Sequence, residues 1–235
     1  MVAELRSANA LQAISSMATA ALLRALIGAY QERSGQPVEL ISIGGVDALR
    51  RVMDGEQLDL VVLAADAIER LSQHNRLLPG SPVALVRSSV AAAVPAGAPH
   101  PDIGSEQALR DAVLAAAHIG YSTGPSGTAL VALLQRWGID EQVRPRLVQA
   151  RPGVPVGSLV ASGQVSLGFQ QLSELQSLPG VELLGELPAA CAIETIFSAA
   201  ICRLSQQPTA AGALLTYLNS SEAAPIKRQH GMSPA

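Results

Sequence analysis

The sequence predicts an α/β protein in which helices cover both faces of largely parallel, doubly wound sheets. Strand-like and helix-like segments alternate along the chain with short loops between them, which is typical of such sheets. Hydrophobic residues make up 49% of the 235 residues but aromatic residues only 3%, so the apolar side chains are mostly Ala, Leu and Val. Small aliphatic side chains suit helices packed closely on a parallel sheet.

The first part of the chain contains three strand–helix pairs. The strand before the second helix alternates apolar and polar residues, whereas the strand before the third is apolar throughout, as expected when both of its faces are buried. In order, the predicted segments are a strand at residues 4–7, a helix from 11 to 33, a strand at 37–43, a helix at 46–53, a strand at 58–63 and a helix from 67 to 75.

Two β-rich runs interrupt this alternation. Residues 82–94 form a long run with no helix behind it, and residues 195–202 form a second. Each is long enough to carry the chain from one lobe to another. We therefore expect a discontinuous lobe I at residues 1–85 and 194–235, and a lobe II at residues 86–193.

The second part of the chain returns to strands and helices before a helical end. The predicted segments are a helix at 103–117, a strand at 119–121, a helix from about 126, a strand at 146–150, a helix at 156–162, strands at 165–170 and 181–187, helices at 209–218 and 221–229, and a tail at 231–235.

A small polar turn at residues 122–128 stands between the strand at 119–121 and the helix that follows. Apolar residues at helical spacing from Leu130 to Trp137 place the start of that helix near Ser126. A helix start presents free N–H groups and partial positive charge, and hydroxyl groups add hydrogen-bond donors. The turn therefore predicts a seat for a small anion; the alternative is an ordinary capped turn.

Small or apolar loops that open a helix recur at residues 7–10, 43–46 and 153–156, so each predicted lobe has two. Ligands of open α/β sheets bind where such loops collect at the carboxyl ends of strands. If the lobes are correct, four helix starts converge on a cleft between them. The residues expected to bind the anion in these loops are Ser7, Asn9, Ala10, Gly44, Gly45, Ser122, Ser126, Gly127, Thr128, Val154 and Pro155.

Five further residues beside these loops each have two interpretations. Asp47 and Glu174 are candidates for a general base, or they are acidic residues that favour a helix start electrostatically. Arg151 is a candidate clamp for a carboxylate, or a solvated loop arginine. Gln170 and Gln171 could offer amide donors to the anion, or cap the following helix.

Several classes of protein are excluded by composition and motifs. The net charge is −3, no Lys/Arg stripe is present and there are six aromatic residues, which argues against nucleic acid as a partner. No apolar run reaches the length of a membrane span. Phosphate-loop, dinucleotide and nucleophile-elbow motifs are absent, and the four histidines lack metal-ligand spacing, so we expect neither a metal nor another cofactor.

The cellular compartment and the state of the two thiols each have two interpretations. No signal peptide is visible, so the protein is either cytoplasmic or, if a signal was removed, periplasmic. Cys191 and Cys202 either pair or are two buried thiols.

Three stretches, at residues 7–10, 42–71 and 81–99, resemble the molybdate-binding branch of the periplasmic solute-binding proteins, and the resemblance runs through residues 227–235. It implies the type II binding-protein fold, with two α/β lobes joined by two crossover strands and closing over an anion. Members of this branch hold an oxyanion with serine hydroxyls and backbone amides. The matching positions here are Ser7, Asn9, Gly44 and Gly45.

Residues 168–175 differ from the tyrosine-containing segment of that branch, and the second loop has glycines where a serine is typical. With residues 153–163, this segment is more similar to a divergent subgroup that includes aconitate isomerase. The helix-opening loops and the lack of a catalytic cluster predict a monomeric solute-binding component of an ABC-type uptake system, with a permease as partner and a small organic acid or oxyanion as ligand. The resemblance to this subgroup implies a small organic acid. The alternative that it implies is an isomerase of a small tricarboxylate on the same scaffold.

Overall fold

The computed structural model describes residues 9–176 and 178–235, which form two compact units. Unit 1 takes in the described residues up to Val86 together with Ile196–Ala235, and unit 2 is Arg87–Thr195. The chain leaves unit 1 within one long strand, Val83–Pro95, and returns to it within another, Glu194–Ile201.

Unit 1 contains the first and last elements of the chain. Short 3-10 turns at Met17–Thr19 and Ser221–Ala223 precede two of its helices. The elements are β1 (Leu11–Ser16), α1 (Ala20–Ser34), β2 (Val38–Ile43), α2 (Gly45–Met53), β3 (Leu60–Ala64), α3 (Ala65–Gln73) and the start of β4 (Val83–Pro95). Those of unit 2 and of the return to unit 1 are α4 (Glu106–Ala115), β5 (Ile119–Tyr121), α5 (Pro125–Arg136), α6 (Asp140–Val143), β6 (Leu147–Gln149), α7 (Val156–Ala161), β7 (Leu167–Gln171), α8 (Leu172–Leu175), β8 (Val181–Glu186), β9 (Glu194–Ile201), α9 (Pro208–Leu218), α10 (Ala224–Gln229) and β10 (Met232–Pro234).

The sheet of unit 1 has the strand order β2-β1-β3-β9. The first three strands are parallel, and β9 runs antiparallel to β3. Helices α1 and α9 pack on one face through Leu22, Leu26 and Leu214, and α2 and α3 pack on the other through Val52 and Leu71. This is the doubly wound arrangement that the alternation of strands and helices predicts.

The prediction for the first helix was wrong at its start. Residues 11–16 form β1, which pairs with β2 over six positions, and the helix begins only at Ala20. Leu11 and Ala13 face one layer of helices, whereas Ile14 faces the other. Because both faces of this strand are buried, apolar residues occur at i and i+3 and imitate a helical face. The strand predicted at residues 4–7 lies outside the described residues.

Unit 2 repeats the design, with only three residues in each of β5 and β6. β5 is parallel to β6 and β7, while β7 and β8 both run antiparallel to β4. Leu109 of α4 and Leu130 and Leu134 of α5 cover one face of the sheet, and Val156 and Val160 of α7 cover the other. The predicted strands and helices of this part are confirmed to within a few residues. At the chain end, the predicted tail contains a short strand, β10, which pairs with β4.

Candidate functional site

Three loops of unit 2 gather at one edge of its sheet. β5, β6 and β7 are parallel, and Tyr121 lies opposite Gln149 on one side and Phe169 on the other. Parallel strands end at the same edge, so the loops that follow them lie side by side, where open α/β sheets bind ligands. The predicted residues at this edge are Ser122, Ser126, Gly127, Thr128, Arg151, Val154, Pro155, Gln170, Gln171 and Glu174.

The loop after β5 presents hydroxyl groups and an uncapped helix start. The Oγ atoms of Ser122 and Ser126 lie 2.9 Å apart, and Ser126 is buried. A Cβ atom on Gly127 would lie 1.9 Å from the carbonyl oxygen of Ser122, so the turn can approach this closely only with glycine. Gly124 occupies the N-cap of α5 and no side chain caps the helix. The loop therefore offers neutral donors and the positive end of a twelve-residue helix.

The loop after β6 combines a cation with an exposed apolar side chain. Arg151 is exposed, and its carbonyl oxygen accepts a hydrogen bond from the N–H of Val154 at 2.9 Å. Within the described residues the Arg151 guanidinium has neither a hydrogen bond nor a salt bridge. Val154 is 40% exposed, and Pro155 is the N-cap of α7. The role of Arg151 as a carboxylate clamp stays a prediction.

Gln170, at the end of β7, links the start of α7 to Glu174. Its Oε1 accepts a hydrogen bond from the backbone N–H of Gly157 at 3.1 Å, and its Nε2 donates to Glu174 Oε1 at 2.8 Å. Gln170 is buried. Its amide is therefore engaged within the protein and orients a carboxyl group.

Gln171 is also buried and also engaged. In the amide orientation that satisfies both ends, its oxygen accepts from Thr195 Oγ1 at 2.7 Å and its nitrogen donates to Ser88 Oγ at 2.8 Å. These contacts join β7 to β9 and to the residues of β4 that belong to unit 2. The amide donors predicted at these two positions thus serve internal contacts.

Glu174 lies half-buried in the short helix α8. Burial raises the pKa of its carboxyl group from 4.5 to about 7, and the hydrogen bond from Gln170 opposes part of that rise. Near neutral pH both the neutral and the ionised form of this carboxyl group are therefore populated. A group in this state suits general acid–base chemistry, which was one of its two sequence interpretations.

The matching edge of unit 1 is formed by the ends of β1, β2 and β3. Ser15 lies opposite Ser42 in the sheet, and their Oγ atoms are 2.8 Å apart. The hydroxyl of Ser16 is buried and has no hydrogen-bond partner among the described residues. A Cβ atom built on Gly45 would lie 3.7 Å from the Cβ of Ser16. Since α2 begins at Gly45 with only Gly44 as N-cap, the unpaired hydroxyl stands beside an open helix start.

The first loop lies elsewhere than the sequence predicted. Asn9 and Ala10 precede β1 and so lie at its amino end, whereas the predicted ligand edge is at the carboxyl end. The carbonyl oxygen of Asn9 accepts from Gln36 Nε2 at 2.7 Å. This correction follows from β1 being a strand. Ser7 lies outside the described residues.

Asp47 stands in the first turn of α2 but is already paired. Its carboxylate accepts a hydrogen bond from Arg50 at 2.9 Å, one turn along the helix. Val46 beside it is 65% exposed. The carboxylate of Asp47 is therefore engaged in an ion pair within its own helix.

The described residues offer no metal site, no membrane-spanning helix and no disulfide bond. No group of three His, Cys, Asp or Glu side chains there could hold a metal ion. None of the described helices is long and apolar enough to cross a membrane. Cys191 and Cys202 are free and buried, and burial raises the pKa of Cys202 to about 12 with a further contribution from the charge of Asp59.

The family model for bacterial extracellular solute-binding proteins matches residues 11–233. The chain belongs to this family. Aconitate isomerase from Pseudomonas sp. is 33% identical over 232 residues, which cover 95% of this chain and 87% of the isomerase.

Solved structures agree on the fold of this solute-binding protein. The periplasmic molybdate-binding protein of Azotobacter vinelandii has a TM-score of 0.80 at 20% identity, covering 94% of this chain and 98% of its own. The sulfate-binding protein SubI from Mycobacterium tuberculosis has a TM-score of 0.76 at 19% identity, covering 97% and 87%. The predicted fold, that of the periplasmic molybdate-binding proteins, is confirmed.

Sequence reasoning missed the serines of unit 1. Ser15 and Ser16 were placed inside a helix, and Ser42 inside a strand without a role. The signal was present, because two serines end an apolar run and the small residues Ala18 and Thr19 follow one position later. It was hidden by the helical interpretation of that run.

Proposed function

We propose that this solute-binding protein binds a small anion, an organic acid or an oxyanion, as the binding component of an ABC-type uptake system. The observation that carries the proposal is the hydroxyl of Ser16, which is buried without a partner beside the open start of α2. A buried polar group without a partner is costly unless a ligand satisfies it.

The donors at the edge of unit 2 support the same chemistry. Ser122 and Ser126 form a hydroxyl pair at the start of α5. Helix starts and hydroxyls bind anions through neutral donors, so no cation has to be desolvated. A periplasmic location is part of the proposal, and the family's description as extracellular supports it.

Isothermal titration calorimetry with a panel of anions tests the proposal. The panel contains citrate, cis- and trans-aconitate, molybdate, tungstate and sulfate. We expect at least one anion to bind wild type, Ser16→Ala to weaken its binding, and Ser72→Ala, an exposed serine of α3, to leave it unchanged. If the whole panel fails to bind, the proposal is wrong.

A second candidate function is isomerisation of a small tricarboxylate, and the raised pKa of Glu174 favours it. The ionised carboxylate would remove a proton from a methylene carbon of aconitate, and the double bond would move by one position. The same proton would return to the carbon at the far end of the three-carbon unit. Atoms and electrons then balance without an oxidant or a second substrate.

Turnover of trans-aconitate, followed by chromatography of the cis isomer, decides this candidate. Glu174→Gln should lower kcat by a factor of about 100 or more, while Asp111→Asn on the surface of α4 serves as the control. Loss of turnover in Asp47→Asn with activity kept in Glu174→Gln would assign the base to Asp47. Absence of turnover by wild type would exclude the reaction.

A further inference from the structure

The orientation of the Gln170 amide is fixed by its partners. The backbone N–H of Gly157 is a donor only, so the amide atom that faces it must be the oxygen. The nitrogen of the same amide therefore faces Glu174 and donates to its Oε1. Because Gln170 is 3% exposed, water does not offer the amide an alternative arrangement.

This contact decides which oxygen of Glu174 can carry a proton. A proton on Oε1 would point at an N–H group of Gln170 and would lose that hydrogen bond. A proton on Oε2 leaves the bond intact. The neutral carboxyl group is thus held with its donor on Oε2, and Gln170 acts on the chemistry of the site only through Glu174.

Among the residues that the structure describes, few ionisable groups lie around α8. β7 and α7, which both pack against α8, contain no ionisable side chain. β8 contributes Glu182 and Glu186, and Glu182 is paired with His100. Ala91 and Ala93 of β4 pack against the same apolar cluster. Desolvation by these apolar surroundings is the main cause of the raised pKa of Glu174.

We propose that Glu174 is a ligand-binding residue that takes up one proton when an organic carboxylate binds, with Gln170 as its positioning residue. The neutral acid donates from Oε2 to a carboxylate oxygen of the ligand, and the proton comes from solvent. An ionised Glu174 would instead repel the anion. This inference rests on the proposed anion-binding function.

The ligand class follows from the loop beside this pair. Val154 exposes 40% of its surface at the same sheet edge, which is suited to contact with a carbon skeleton. An inorganic oxyanion has no such skeleton. The combination of an acid donor, hydroxyl donors and an apolar side chain therefore selects a small organic acid.

Calorimetry of trans-aconitate and citrate binding, in buffers that differ in ionisation enthalpy, measures the proton uptake. For wild type we expect uptake to rise towards one proton as pH increases above about 7, with affinity falling about tenfold per pH unit. Glu174→Gln keeps an acceptor for Gln170 and a donor towards the ligand, so it should bind with no proton uptake and with affinity independent of pH.

Gln170→Met tests the positioning role. Removing the N–H donor favours the neutral acid, so the pH at which affinity begins to fall should move upward. A merely structural role would change affinity or stability without moving that pH. Gln164→Met, an exposed substitution in the same unit, should behave as wild type.

The outcomes separate this inference from the proposed function. No binding of any anion overturns both. Binding of a carboxylate without proton uptake, or an unchanged pH dependence in Glu174→Gln, overturns this inference alone. Tighter binding of molybdate than of either carboxylate overturns the ligand class.

Discussion

At the scale of single residues, the polar atoms of the site differ in whether the protein satisfies them. Ser15 shares a hydrogen bond with Ser42, and the amides of Gln170 and Gln171 are engaged at both ends. The hydroxyl of Ser16 has no partner among the described residues. Polar groups that have partners within the protein shape the site, whereas a buried hydroxyl without a partner is available to a ligand.

Ser16→Ala should stabilise the unliganded protein while weakening anion binding. The substitution removes a buried hydroxyl without a partner, and we expect a gain on the order of 1 kcal/mol in the free energy of unfolding. Urea unfolding measures it. Ser15→Ala is the matched comparison, since it leaves Ser42 without its partner and should lower stability. A loss of stability in Ser16→Ala would show that the hydroxyl is satisfied within the protein.

Glu174 should make stability depend on pH. Folding raises the pKa of its carboxyl group from 4.5 to about 7. The contribution of this group to the free energy of unfolding is therefore fully present below pH 4.5 and is lost as pH rises through 7. We expect the loss to be on the order of 2 kcal/mol, because partial exposure to solvent screens the effect. Denaturant unfolding between these pH values, compared with Glu174→Gln, measures it. A difference between the two proteins that grows with pH in favour of wild type would contradict the burial argument.

At the scale of elements, the turns after the strands determine where donors stand. The turn between β5 and α5 requires a glycine because the backbone of Ser122 passes within contact of position 127. In unit 1, the change from strand to helix occurs after Ser16, at the turn Met17–Thr19. Each site loop is therefore fixed by one close backbone approach or by the end of one strand.

Gly127→Ala should destabilise unit 2 and weaken anion binding. The new Cβ would meet the Ser122 carbonyl oxygen at 1.9 Å, and relief requires the backbone to move. We expect a cost of about 1–3 kcal/mol in urea unfolding. Gly124→Ala is the control, since its Cβ would lie 3.8 Å from Ser122 Oγ at a negative φ. Equal stabilities of the two variants would contradict the proposed close approach.

At the scale of the whole molecule, the chain builds the same arrangement twice. Each unit has parallel strands, with uncapped helix starts and serine hydroxyls at their carboxyl ends. The family assignment covers both units, since the match runs from residue 11 to 233. Each unit by itself therefore presents the same kind of neutral donors.

Ser126→Ala in unit 2 should weaken anion binding, as Ser16→Ala in unit 1 should. The loss of one neutral hydrogen bond is about 1 kcal/mol, or roughly fivefold in Kd. Calorimetric titration of the single and double variants measures it. An unchanged Kd in Ser126→Ala would exclude this hydroxyl from the anion site.

Much of the fold could be predicted from the sequence, because strand–helix alternation and buried apolar strands are local patterns. They determined the parallel α/β units, most element positions and the loops of unit 2 that contain Ser122, Ser126 and Glu174. That residues 11–16 form a strand could not be predicted, since a strand buried on both faces shows the same apolar spacing as a helix. Only the tertiary structure decided that Ser16 ends a strand beside α2, that Gln170 points its amide at Glu174, and that burial raises the pKa of this carboxyl group. The first depends on the approach of Gly45 to Ser16, and the second on the N–H of Gly157, which orients the Gln170 amide; no local pattern records such contacts.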